Sequence, residues 1–258
     1  MNYINSRIIG TGSNNVIILH GFLGMSDNWV TISKKISAYG LKVHLVDLRN
    51  HGKSFWSEEF TYKVMSDDLK LYVDKNKISD FNLIGHSMGG KSAIQFAYNY
   101  PSKVKKLIIL DIMNKTYDQN YLHLKILNLF ESIDLSIYDR RTEIEDYLFE
   151  NLNDKILVSF LMKNIERDFS NKFKLKPNIK VLKKYYKNIC HKINLYEDFN
   201  IETIFFKGEK SNYINNIDIK EKFEKFNNYK IINIPNAGHW IHIDNSNLFI
   251  EKLIPEIT

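Results

Sequence analysis

The ten residues Phe81-Asn82-Leu83-Ile84-Gly85-His86-Ser87-Met88-Gly89-Gly90 constrain this chain more than any other stretch. An apolar strand pattern there runs into G-x-S-x-G and then into a helix-compatible run, Ser92 to Tyr98, followed by Pro101. At such a strand-to-helix corner a serine is held in a strained conformation with its hydroxyl exposed, and the flanking glycines remove the Cβ atoms that would collide. Ser87 is therefore the expected nucleophile. G-x-S-x-G alone is weak evidence, and it is the strand before it and the helix after it that supply the required context. The competing reading is a glycine-rich turn with an incidental serine.

A nucleophilic serine of this kind takes its acid and then its histidine from later in the chain. His239 fits the place of the base: it lies in Asn236-Ala237-Gly238-His239-Trp240, after the strand-like run Tyr229 to Ile234 and the turn-forming Pro235. The other histidines fit less well. His86 adjoins the serine as a shaping residue, His44 sits inside a strand pattern, His123 and His191 fall in the middle region, and His242 covers the final helix. An oxyanion hole needs two backbone N–H groups. One is expected from Met88, the residue after the nucleophile, and the other from Phe22, in the loop His20-Gly21-Phe22-Leu23-Gly24 after the strand Val16 to Leu19.

The acid is less direct. The loop after the strand Ile201 to Phe206 reads Lys207-Gly208-Glu209-Lys210-Ser211-Asn212-Tyr213, with serine where Asp is common. Serine cannot hold an imidazolium by charge. The strand Leu107 to Leu110, by contrast, ends directly in Asp111, which is therefore the expected acid, with Ser211 as a neutral fourth member beside Asp111 or His239. Glu209 and Asp218 are the alternatives, and a loop-capping carboxylate is the bland reading of Asp111.

With Asp47-Leu48-Arg49-Asn50-His51-Gly52-Lys53-Ser54, Gly85-His86-Ser87-Met88-Gly89-Gly90-Lys91 and Gly238-His239-Trp240 in this order, nearly the whole chain resembles the small YbfF-like esterases of the α/β-hydrolase superfamily. Asp-x-Arg-Asn-His-Gly and the lysine after Met-Gly-Gly are more specific than G-x-S-x-G. The resemblance supports an acid after the strand that follows the nucleophile helix, and a serine in the later loop. It implies an esterase or thioesterase for short acyl esters, acyl-CoA among them, with no metal or organic cofactor. Leu23, His86 and Trp240 are the expected substrate contacts. Two other readings stand beside it: a lyase of the menaquinone-pathway type, which keeps Asp in the late loop, and a non-catalytic hydrolase-fold binding protein, which the intact Ser87 and His239 disfavour. A dehalogenase would carry Asp at the nucleophile position.

Strand patterns at 16–20, 43–47, 81–84 and 107–111 alternate with helical ones at 29–39 and 64–76. That alternation predicts an α/β fold, a mostly parallel sheet with helices on both faces and its ligands at the carboxyl ends of the strands. From about Asn114 to Phe199 the rhythm gives way to amphipathic helical runs, Tyr121 to Ile133 and Arg141 to Asn151 among them. The expected organisation is a core of 1–113 and 200–258 with a helical cap of 114–199, whose inner face draws on Leu124, Leu127, Phe130, Leu157, Phe160 and Leu161.

Residues 163–192 hold ten Lys or Arg against Glu166 and Asp168, a net of +8, so the remainder sums to −2 within a total of +6. A basic cap would attract anionic acyl donors; a compositional leaning to Lys, Asn and Ile is the alternative. No nucleic-acid-binding motif accompanies the lysines. At 44% hydrophobic residues, with 16 Phe and 15 Tyr in 258 residues, the chain can bury a large core. Its lone Cys190 excludes an intrachain disulfide and fits a reducing, cytoplasmic setting. The N-terminus lacks the order of a signal peptide, and no apolar run approaches membrane-spanning length.

Overall fold

The computed structural model describes residues 3–215 and 225–258. Seven strands form one sheet: β1 (Ser6–Ile9), β2 (Asn14–Leu19), β3 (Leu41–Val46), β4 (Phe81–His86), β5 (Val104–Leu110), β8 (Thr203–Gly208) and β9 (Tyr229–Ile234). Their order is β1-β3-β2-β4-β5-β8-β9. Only β1 pairs antiparallel; every other pairing is parallel. Parallel strands buried on both faces read as unbroken apolar runs, which is why Val16 to Leu19 and Leu107 to Leu110 are legible as strands. β1 escapes that reading because it is an edge strand with Ile8 exposed.

Alternate residues of each central strand serve different layers. Ile17, Leu19, Leu83, Leu107 and Ile109 pack with α2 (Tyr62–Lys75) and α3 (Met88–Asn99). Val16, Ile18, Ile84, Ile108 and Leu110 pack with α1 (Val30–Ser37) and the C-terminal helix Ser246–Ile257. This two-sided burial is the driving force that holds helices on both faces.

Between β5 and β8 no strand joins the main sheet. That stretch holds α4 (Tyr121–Ser132), α5 (Arg141–Leu152), α6 (Lys155–Met162), α7 (Ile179–Cys190) and a hairpin of β6 (Ile165–Arg167) and β7 (Phe173–Leu175). The hairpin departs from the all-helical expectation: its strands are three residues each, too short for a period-two pattern to stand out. Ile126, Leu127, Phe130, Leu157 and Leu161 belong to the same apolar cluster as the sheet face under α2 and α3, so this stretch shares a core with the sheet.

Candidate active site

The strands end where the chemistry gathers. Ser87 follows β4 with φ 53° and ψ −120°, a left-handed conformation that costs a non-glycine residue on the order of 1–3 kcal/mol and is kept only where the surroundings enforce it. Its N–H donates to Leu110 O at 3.0 Å, and its carbonyl accepts from Gly90 N at 2.8 Å. Gly89 is obligatory here. A Cβ at that position would lie 2.4 Å from His20 O and 2.5 Å from Leu19 O, so only glycine lets α3 start against the β2 loop. The helix accordingly begins at Met88, earlier than the run from Ser92 that periodicity suggests.

Asp111, directly after β5, also has a positive φ, 50°, and is fully buried at 0% exposure. Its Oδ1 accepts from Gly208 N at 3.0 Å, and its Oδ2 accepts from His239 Nδ1 at 2.8 Å and from the Ser211 hydroxyl. A buried carboxylate demands such partners, because each unsatisfied bond would cost the desolvation of a charge. The structure therefore brings Asp111, Ser211 and His239 together, with Ser211 on the carboxylate and not on the imidazole. Glu209 is engaged elsewhere: its Oε2 accepts from Asn236 N at 2.8 Å in the turn that leads to His239. Asp218 lies outside the described residues. Gly208 permits the approach of the two loops, since a Cβ there would lie 2.2 Å from Gly238 O.

Bonding through Nδ1 leaves His239 Nε2 for the cavity that His239 and Ser87 both line. His239 is held both at its ring and at its backbone. Tyr213 stacks on it, with centroids 3.8 Å apart at 15°, and His86 Nε2 donates to the His239 carbonyl at 2.9 Å. Burial, then the neighbouring His239 and His242, hold His86 well below the usual histidine range, so it stays a neutral brace. His242, expected to cover the last helix, instead stacks on Trp29 at 3.9 Å next to His86.

The loop from His20 to Gly24 is built by the Asp-x-Arg-Asn-His-Gly motif. His51 Nε2 accepts from Leu23 N at 3.2 Å while its Nδ1 donates to Arg49 O at 3.0 Å. His20 accepts from Leu48 N through Nε2 at 3.0 Å and donates to Gly21 O through Nδ1 at 2.8 Å. Asp47 accepts from Ser26 N and Lys53 N, and Arg49 grips Asp68 through two nitrogens at 2.6 and 2.8 Å. Among the described residues the N–H groups of Phe22 and Met88 have no protein partner, whereas that of Leu23 is spent on His51. Burial holds His51 down to about 3, which keeps its ring neutral and able to accept.

Two cavities meet at Ser87. The first, about 280 Å³, is walled by Leu23, His86, His239, Trp240 and, from above, Leu122, Ile126, Leu157, Phe160 and Leu161. The second, about 340 Å³, includes Met88, Lys91, Tyr117, Tyr186 and Cys190. Of the residues expected on the inner face above the site, Leu157, Phe160 and Leu161 are there. Leu127 and Phe130 are packed away in the core and Leu124 lies against it, because helix α4 turns His123 and Ile126 downward instead. His123, set aside on sequence grounds, lines both cavities, with Nδ1 2.9 Å from the Tyr186 hydroxyl. Tyr213 was equally unmarked; only its place two residues after Ser211 hinted at it. Among the described residues no group of three or more His, Cys, Asp or Glu side chains is set to hold a metal, and no helix is long and apolar enough to cross a membrane.

A strained serine at the β4–α3 corner, a buried acid one strand over and a histidine after the last strand define the α/β-hydrolase architecture. The sequence model of the alpha/beta hydrolase fold matches residues 14–246, and the chain belongs to that family. Within it the chain stands with the carboxylic ester hydrolases. It is similar to a solved marine microorganism esterase, with a TM-score of 0.95, 37% identity and full coverage of both chains. It is 31% identical over 244 residues to the sn-1-specific diacylglycerol lipase ABHD11 of Danio rerio, covering 93% of this chain and 77% of that one. Esterase YbfF of Escherichia coli is 25% identical over 240 residues, covering 92% and 91%.

Proposed function

We propose that the chain cleaves short-chain carboxylic esters or acyl thioesters, acyl-CoA among them, through an acyl-enzyme on Ser87. The observation that carries this reading is the His239 Nδ1 to Asp111 Oδ2 hydrogen bond of 2.8 Å on a fully buried carboxylate, beside the cavity that Ser87 lines. His239 Nε2 takes the proton from Ser87 Oγ as that oxygen attacks the carbonyl carbon. The N–H groups of Phe22 and Met88 hold the resulting oxyanion. Collapse breaks the bond to the leaving oxygen or sulfur, which receives the proton from His239; water then repeats the sequence and releases the acid. Asp111 fixes the tautomer and offsets the imidazolium charge, and Ser211 secures Asp111 as a neutral fourth member.

In this reading residues 114–199 are a cap over a core of 1–113 and 200–258. The cap supplies Ile126, Leu157, Phe160 and Leu161 to the first cavity and also steadies the oxyanion loop, since Asn164 Nδ2 donates to Leu23 O at 3.0 Å. Serine in place of Asp in the late loop sets this chain apart from the lyase reading. The half-buried lone Cys190 suits a cytoplasmic enzyme.

The test is a fluorophosphonate probe beside p-nitrophenyl and CoA esters of graded chain length. Wild type should label and turn over the short esters fastest. Ser87→Ala should do neither, while Ser211→Ala keeps the label. Labelling and turnover that survive in Ser87→Ala would overturn the assignment.

A further inference from the structure

The two cavities divide the residues around Ser87 unequally. Phe22 and Ser87 line both, His239 lines only the first, and Met88 and Lys91 line only the second. Proton transfer from His239 to the departing atom requires the leaving group to lie on the histidine side. The acyl chain, attached to the other side of the same carbonyl carbon, then falls into the second cavity.

That second cavity contains a buried charge. Lys91 is 1% exposed, and its Nζ donates to Cys190 O at 3.0 Å and His191 O at 2.9 Å, at the C-terminal end of α7. A lysine there caps the last carbonyls of the helix. A neutral amide would serve two carbonyls equally well, whereas the ammonium leaves one further N–H and a full charge over. Among the described residues no carboxylate lies within ion-pair distance of it. Tyr62 and Tyr117 present their rings to it at 6.0 and 5.0 Å, but their hydroxyls donate to Ile189 O and Tyr213 O. Asp118 lines the cavity from its exposed end, and Lys115 adds a second positive influence. Burial brings Lys91 down to about 8, so the ammonium still prevails at pH 7.

We infer that the second cavity is the acyl site and that Lys91 selects acyl chains ending in a carboxylate, the half-esters and half-thioesters of short dicarboxylic acids. The inference rests on Ser87 as nucleophile. Bond changes are those of ordinary acyl transfer; the substrate's distal carboxylate stays intact and pairs with Nζ, a charge-assisted hydrogen bond in a partly dry site.

Three esters separate the possibilities: monoethyl glutarate, with the carboxylate in the acyl half; neutral ethyl pentanoate; and the propionyl ester of 3-hydroxypropionate, with the carboxylate in the alcohol half. Wild-type kcat/KM should favour monoethyl glutarate over ethyl pentanoate by about tenfold or more, the worth of one hydrogen bond to a charged group. The alcohol-side carboxylate should bring no gain. Lys91→Met should erase the preference and Lys91→Arg should retain it, with fluorophosphonate labelling and circular dichroism reporting the fold of each. Equal wild-type values for monoethyl glutarate and ethyl pentanoate would overturn the inference, as would a preference that survives in Lys91→Met or shifts to the alcohol-side carboxylate. The wild-type comparison stands by itself if a variant fails to fold. Turnover of ethyl pentanoate without charge preference removes only the role of Lys91, whereas no turnover of any ester together with no fluorophosphonate label removes the esterase mechanism as well.

Discussion

Replacing Asp111 by asparagine tests the site at its most constrained atom. In the native arrangement Oδ1 accepts from Gly208 N, and Oδ2 accepts from both His239 Nδ1 and Ser211. An amide can match only part of this set. With its oxygen toward Gly208, the NH₂ group faces His239 and accepts no proton from it, so the imidazole shifts to the tautomer with hydrogen on Nε2 and can no longer act as base. With the amide turned over, NH₂ meets the Gly208 N–H, two donors face each other in a site with no exposure, and the negative charge is still gone. The first orientation removes tautomer control, the second keeps it only with two donors opposed, and both remove the charge that stabilises the imidazolium, so kcat should fall by about 10⁴, equivalent to about 5.4 kcal/mol in the barrier. Ser211→Ala deletes one of three bonds to the carboxylate and leaves the His239 bond in place. The lost Ser211 bond is a neutral one of about 1 kcal/mol, so the loss in kcat should be at most about fivefold, the full amount only if the bond serves the transition state alone. Turnover of p-nitrophenyl butyrate, with circular dichroism and thermal melting as folding controls, measures both. A folded Asp111→Asn enzyme with near-native kcat, or a Glu209→Gln enzyme that collapses in its place, would refute the reasoning.

Acid should destabilise the fold from an unusually mild pH. Burial holds His51 and His242 down to about 3 and His123 to about 4, against about 6.5 for an unfolded histidine, so below pH 6.5 the unfolded chain binds more protons. Stability is therefore complete above pH 6.5 and falls as pH drops towards 4, by up to about 1.4 kcal/mol per pH unit for each such histidine. Urea midpoints at pH 7.5, 6 and 5 check this, and midpoints that do not move would contradict neutral burial. For CoA thioesters, the exposed lysines around 163–192 should make kcat/KM fall more steeply with added salt than for neutral p-nitrophenyl esters. Equal slopes would remove the steering role and leave the ester chemistry untouched.

Spacing along the chain was enough to mark Ser87, His239 and Asp111, because a strand-turn-helix corner and strand ends are local events. Gly89 must be glycine wherever α3 starts against the β2 loop, and a parallel strand buried on both faces must be apolar throughout, so the central sheet was readable as well. The neighbours of those residues were not readable in the same way. Whether Ser211 bonds Asp111 or His239 depends on how the β8 loop passes the end of β5, a contact across 100 residues. Tyr213 came to stack on His239, and His123 to roof both cavities, only once the loops and α4 had docked. The short hairpin β6–β7 carries too few residues to impose a period, and Leu127 and Phe130 point into packing instead of the site because the rotation of α4 is set by its neighbours. Lys91 shows the division most clearly. Its place after Met-Gly-Gly is written in the chain, but its burial against Cys190 and His191, 99 and 100 residues away, is decided by the packing of α7 on α3. Apolar periodicity encodes which face of an element is buried; which polar groups meet across the buried space follows from the angles and offsets at which whole elements pack.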